Sequence, residues 1–290
     1  MKLHKKKRFD YIDVIANTFM LFFSISILYP MLHVLAVSLS ENGPILRNEV
    51  TIFPMGFTLS SYTYFMEHDQ FIRGFFNAIL YTVEGVATNL FFTALTAYPL
   101  SKMNLIGRST IMKLIVFTMY FSGGLIPTYM LISNIGLYGS EWAWIIGDLI
   151  GTTNLIIMIN GYRAIPDSLY EAAYLDGASD IQVFFKIAFP LCKATMASIG
   201  LFYFIGHWNQ WLSAMLYLQD PKDFPLQLFM RSVLIENSET DMNPDFGKHN
   251  VTPIGVKNSL IVLSMIPVMI VYPFVQRYFV KGVMIGSVKG

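Results

Sequence analysis

The sequence predicts an all-α polytopic membrane protein with six transmembrane helices and both termini in the cytoplasm. Three observations predict it: a composition too apolar for water, uncharged stretches of spanning length, and a one-sided distribution of Lys and Arg. Of 290 residues, 54% are hydrophobic, 15% aromatic and only 13% charged, whereas an ordinary soluble domain carries about 25% charged residues. Mean hydropathy is +0.51. A helical span takes about 20 apolar residues, so six would use roughly 120 and leave room for loops. Disordered, collagen-like and disulfide-stapled chains are excluded, and a water-soluble enzyme nearly so. The net charge of +1 points to no nucleic-acid partner. The single cysteine, Cys192, cannot form an intramolecular disulfide and lacks the companions of a metal cluster.

The elements follow in chain order. A basic cytoplasmic N-terminus, residues 1–13, carries Lys2, Lys5, Lys6, Lys7 and Arg8 and leads into an uncharged stretch from Val14 to Ser40. That stretch is too long for a signal-peptide core of about 7–15 residues, so it reads as a retained first helix. The second span, 74–101, is interrupted only by Glu84; the third, 114–138, is uncharged. The fourth, 142–162, contains Asp148; the fifth and sixth are 194–219 and 258–280. An intervening loop at 163–193 falls inside, a long loop at 220–257 outside, and 281–290 forms a cytoplasmic tail. With the N-terminus inside, Lys and Arg divide 14 inside against 6 outside, the outer set being Arg47, Arg73, Lys222, Arg231, Lys248 and Lys257. That asymmetry is the positive-inside pattern, and the outer six lie in long loops where it counts least.

The middle loop reads as two short helices. Pro166 stops the incoming chain, and Ser168 with Glu171 has capping-box spacing. Leu169, Ala172 and Ala173 then share a face at i, i+3, i+4. Gly177 suits the left-handed position after a helix. Ser179 and Gln182 have the spacing of a second capping box, followed by Ile181, Phe184, Phe185 and Ala188 along one face. Pro190 sits where the fifth span can begin, a place that tolerates a missing N–H. The result is a stiff helix–turn–helix with small residues that would let another protein approach closely. On physics alone, Glu171 as a plain cap and the alanines as plain helix formers account for the pattern equally well.

Glu171-Ala172-Ala173, three residues, Gly177, nine residues, Ile187, two residues and Pro190 resembles the EAA loop of ABC importer permeases. Phe189 departs from the Leu common in that family, apolar for apolar. The segment Pro166–Glu171, His207-Trp208-Asn209-Gln210-Trp211 and the Val288-Lys289-Gly290 terminus are similar to the maltose-type carbohydrate-uptake permeases. Phe121–Tyr129, with Gly123-Gly124 and Pro127, is similar to a subgroup importing polysaccharide-derived oligosaccharides, including uronic-acid polymers such as alginate or pectin fragments. The resemblance implies the type I ABC importer permease fold and a multi-pass place in the bacterial inner membrane. It implies a second homologous permease, two ABC ATPase subunits and an extracytoplasmic solute-binding protein. It assigns ATPase coupling to Glu171, Ala172, Ala173, Asp176, Gly177, Ile187 and Pro190, and ATPase contact to the tail residues Gly286, Val288, Lys289 and Gly290. ATP and Mg would sit on the ATPase subunits, with no cofactor or metal on this chain.

Sugar sites pair aromatic faces with hydrogen-bonding groups, and His207, Trp208, Asn209 and Trp211 supply both. Interfacial tryptophans and a histidine bonded to a neighbouring helix explain the same residues. Glu84 and Asp148 are charges within spans, which are costly and point to function; Asp148 lies near a helix end and can reach water. An acidic wall at Glu84 would favour a neutral cargo. Tyr120, Tyr129 and Asn154 are further pathway candidates, and Gly123-Gly124 suits a helix kink. The alternative, an ion-coupled secondary transporter, would need paired intramembrane charges and usually repeat symmetry, and only Glu84 and Asp148 are available. A membrane-embedded enzyme lacks support: the five histidines are scattered, and no phosphate-binding Gly-x-x-x-x-Gly-Lys-Ser/Thr loop occurs.

Overall fold

The computed structural model describes residues 11–235 and 249–287, with side chains to 276. The basic run 2–8, the middle of the long loop (236–248) and the tail residues Val288, Lys289 and Gly290 lie outside the described residues. Gly286 falls in the backbone-only part of the last helix. Among the described residues every regular element is helical, apart from an isolated bridge between Ser40 and Phe57.

Among the described residues three helices are long and apolar enough to cross a bilayer: α1 (Tyr11–Ser38), α4 (Asp69–Ser101) and the Pro253–Gln276 part of the last helix. Between α1 and α4 lie two short helices, α2 (Asn42–Leu46) and α3 (Ser60–Met66). Where the sequence predicts one third span, α5 (Arg108–Tyr120) and α6 (Leu125–Asn134) meet at 116°. The break falls at Gly123-Gly124, with Gly124 at φ +84°, a conformation glycine adopts without a Cβ penalty. The expected fourth span is likewise divided, into α7 (Trp142–Gly147) and α8 (Thr152–Arg163). The middle loop folds as α9 (Asp167–Leu175), α10 (Asp180–Val183), a π-turn at Phe184–Ala188 and α11 (Phe189–Leu191). This last stretch meets α12 (Lys193–Trp208) at 77°. Beyond α12 come α13 (Leu212–Tyr217), α14 (Leu226–Ile235) and α15 (Pro253–Ser287).

Two compact units are distinguished. The first comprises, among the described residues, 11–68 and 249–263. Side chains 11–32 of α1 are all exposed, which costs nothing where the solvent is lipid. Its last turn closes a small core of Ala36, Val37, Ile45 and Val50. Polar ties fix the rest: Ser38 with the Tyr62 hydroxyl at 2.7 Å, and the Asn42 amide on the Asn250 carbonyl at 2.8 Å.

The second unit, 69–235 with 264–290, is built around α4, which packs against α8, α12 and α14. Close packing is possible because α4 presents Gly85, Ala94 and Ala97 to its neighbours, the association mode expected where no water drives helices together. Its core joins Tyr98, Leu155, Met158, Tyr162, Phe184 and Ile199. The α7–α8 break leaves backbone groups that lipid cannot satisfy. Asn89 of α4 donates to the Asp148 carbonyl at 3.1 Å, and the Gly151 N–H donates to the Tyr203 hydroxyl at 3.0 Å. That hydroxyl also pairs with Thr93 at 2.6 Å.

Candidate functional site: a stapled helical corner and an aromatic helix end

Pro166, extended at ψ 132°, occupies the position before α9, so the helix starts two residues earlier than the Ser168–Glu171 box requires. No side-chain cap forms there; Asp167 stands in the first turn instead, where its charge complements the helix dipole. At the other end Gly177 takes φ +80°, with its N–H on the Tyr174 carbonyl and the Ala178 N–H on the Ala173 carbonyl, both at 3.0 Å. This is a Schellman closure, and its inner acceptor is the second alanine of the triplet. The Ser179–Gln182 capping box forms on both sides, at 3.4 and 3.0 Å. The Tyr174 hydroxyl then donates to Asp180 Oδ1 at 2.6 Å, stapling α9 to α10.

The predicted face of Leu169, Ala172 and Ala173 does not hold together. Tyr170 and Ala173 turn inward and are buried, while Leu169, Glu171, Ala172 and Asp176 are exposed. The second helix splits similarly: Phe184 and Ala188 are buried, whereas Ile181 is 70% exposed and Phe185 points out. The π-turn, with one extra residue per turn, shifts the register between them. Ile187 is half-buried against the core, and Pro190 lies in α11 just before the bend into α12.

The corner is tied to the spans by residues that the sequence marked only as inner charges. Lys102, just past the end of α4, places its ammonium 3.3 Å from the Tyr170 ring centroid and 5.2 Å from that of Tyr98. Burial lowers the Lys102 pKa, with Asp167 and Asp180 pulling the other way. Burial likewise raises the Tyr170 and Tyr174 hydroxyls. Arg108 and Arg163 donate to the Leu100 and Ser101 carbonyls at 2.8 and 3.3 Å, capping the C-terminus of α4 with positive charge. Between this end of α4 and the corner opens a cavity of about 1340 Å³, lined among others by Lys102, Tyr170, Glu171, Tyr174 and Phe185. Such a cleft can receive an element of another protein.

The aromatic motif lies at the other end of α12. His207 is wedged against Gly85 and accepts from the Asn89 amide at 3.2 Å, since that amide also donates to Asp148. Trp208 is buried and donates to the Ser264 carbonyl at 3.2 Å. These two side chains therefore hold helices together. Asn209 is exposed, and Trp211 is half-buried beneath Arg231, whose guanidinium carbon stands 4.2 Å from the ring centroid. Glu84 is half-buried, with Oε2 buried and unpartnered among the described residues. Tyr129 stacks on Tyr217 at 5.7 Å, Tyr120 is 76% exposed, and Asn154 lies beside Gly151. Sequence reasoning missed Lys102, Tyr170, Asn89, Tyr203 and Arg231, because their roles depend on partners 20 or more residues distant.

Residues 2–285 match the family described as binding-protein-dependent transport system inner membrane component. The chain is 39% identical over 281 residues to the polygalacturonan/rhamnogalacturonan transport system permease protein YtcP of Bacillus subtilis (strain 168), covering 96% of this chain and 98% of the relative. It is similar, with TM-score 0.88 and 33% identity over 94% of this chain and 99% of the other, to a chain in the crystal structure of a bacterial ABC transporter involved in the import of the acidic polysaccharide alginate. A chain from a bacterial alginate ABC transporter, crystallised in complex with an alginate pentasaccharide-bound periplasmic protein, shares the fold at TM-score 0.66 and 14% identity, covering 91% of this chain and 92% of the other. An ABC importer permease architecture thus accommodates 94% of the chain, and this protein belongs to the family of binding-protein-dependent transport system inner membrane components.

Proposed function

We propose that the chain is one of two permeases in an ATP-driven oligosaccharide importer, crossing the bacterial inner membrane six times with both termini inside. Its cargo is acidic oligosaccharide, a class supported by relatives named for polygalacturonan, rhamnogalacturonan and alginate transport. Two ATPase subunits hold ATP and Mg, and a periplasmic binding protein delivers the sugar.

The observation that carries this reading is the corner at Gly177. A transmission element must be rigid within itself, exposed on one side and attached to the spans on the other. The Schellman closure, the capping box and the Tyr174–Asp180 bond supply the rigidity. Glu171 and Ala172 form the exposed side, and Tyr170 with Lys102 forms the attachment. When the ATPases close on ATP, the corner moves as a body, carrying the ends of α4 and α8 and turning the pathway outward. Glu171→Ala and Ala172→Trp variants, reconstituted with all partners, should lose uptake and binding-protein-stimulated ATP hydrolysis while remaining in the membrane. Full coupling in both variants would sink the assignment.

A further inference from the structure

Among the described arginines, Arg47 is chelated by Glu49 at 2.8 and 2.9 Å, Arg108 and Arg163 cap α4, and Arg73 is exposed on α4. Arg231 differs. It is half-buried on α14, its guanidinium lies over the Trp211 ring, and among the described residues no carboxylate comes within ion-pair distance. α14 buries Leu226, Gln227, Leu228 and Phe229, so Arg231 stands on a helix anchored by its neighbours in sequence. Stacking on an indole fixes the plane of a guanidinium and occupies its face, while the in-plane N–H groups stay free to donate. A planar fork of donors with no carboxylate partner among the described residues is suited to a carboxylate taken bidentately. Two residues before Trp211 in sequence, exposed Asn209 donates one amide hydrogen to the Ile205 carbonyl at 2.9 Å and keeps its amide oxygen free to accept from a hydroxyl. A carboxylate and neighbouring hydroxyls are features of a uronic acid unit.

We infer that Arg231, oriented by Trp211, is a carboxylate-recognising subsite that selects uronate units of the cargo; this rests on the acidic-oligosaccharide reading above. The site rejects a neutral analogue by leaving the guanidinium unpaired, the strongest form of discrimination available to a polar site. The test uses the complete transporter in proteoliposomes, with trigalacturonate and its fully methyl-esterified form as cargo. The binding protein is the same in every arm, so a change between wild type and variant reports on this chain. Arg231→Gln should lower trigalacturonate uptake about tenfold and leave ester uptake unchanged. Arg231→Lys should fall between, and Trp211→Ala should shift the acid-to-ester ratio in the same direction as Arg231→Gln. If Arg231→Gln reduces both cargos equally, or neither, the subsite is overturned while the acidic-cargo reading stands. If the wild-type transporter imports the ester and no trigalacturonate, the acidic-cargo reading falls and the subsite with it.

Discussion

Replacing Gly177 separates two explanations for a glycine at a coupling corner. Apart from its chain neighbours, a Cβ built at Gly177 meets no atom of the described residues within 4 Å, so among them a substitution is opposed by backbone conformation alone. At φ +80° an ordinary L-residue pays roughly 1–2 kcal/mol, and asparagine tolerates the left-handed region several-fold better than most side chains. Gly177→Ala should therefore loosen the Schellman closure, and about 1.4 kcal/mol corresponds to a tenfold change in the fraction of corners correctly formed. Gly177→Asn, although larger, should be milder. The assay is oligosaccharide uptake together with binding-protein-stimulated ATP hydrolysis in proteoliposomes. Uptake should rank glycine above asparagine above alanine. The reverse order for the two variants, asparagine worse than alanine, would refute the strain argument and indicate that the partner needs bare space at this position.

Three further outcomes follow from the packing. An added Cβ at Gly85 would lie 2.5 Å from the His207 ring, so Gly85→Ala should cost about 1–3 kcal/mol from overpacking in thermal unfolding of the purified protein, and the cost should shrink in a His207→Ala background; strict additivity would disprove the contact. Asn89→Ala and Tyr203→Phe, which strip the break between α7 and α8 of its partners, should each destabilise by about 0.6 to 1.7 kcal/mol in the same assay, and unchanged melting in both would count against the bridging role. Lys102→Met should weaken the grip on Tyr170 by about 0.5–2 kcal/mol, seen as reduced uptake per ATP hydrolysed, whereas Tyr170→Phe, which keeps the ring, should stay near wild type.

Local signals carried well where chemistry and neighbours lie within a few residues. Gly177, the Ser179–Gln182 box and the bend at Gly123-Gly124 were all readable, because each depends on one residue's backbone freedom or on a side chain reaching three positions along. The Ser168–Glu171 box failed at the same range: Pro166, by holding an extended ψ, advanced the helix start by enough to move Ser168 inside it. The Ala172–Ala173 face failed for a different reason. Periodicity says which residues share a side of a helix, but not which side meets the core, and Tyr170 with its Lys102 partner decided that in favour of Ala173 turning inward.

The aromatic motif shows the same division inside one pentapeptide. His207 and Trp208 read as sugar contacts by type, yet Asn89, Gly85 and Ser264 engage them as packing. Trp211 is half-buried and gains Arg231, which in the sequence was one of six unremarkable outer charges. Composition by itself determined the solvent, the helical class and the sidedness expected of the chain, because lipid imposes length, apolarity and charge asymmetry on every span separately. The pairing of charges and rings, the register after the π-turn and the rescue of the broken helix were decided only by tertiary structure. Each of these depends on which distant side chain occupies the space beside a backbone group that lipid cannot satisfy.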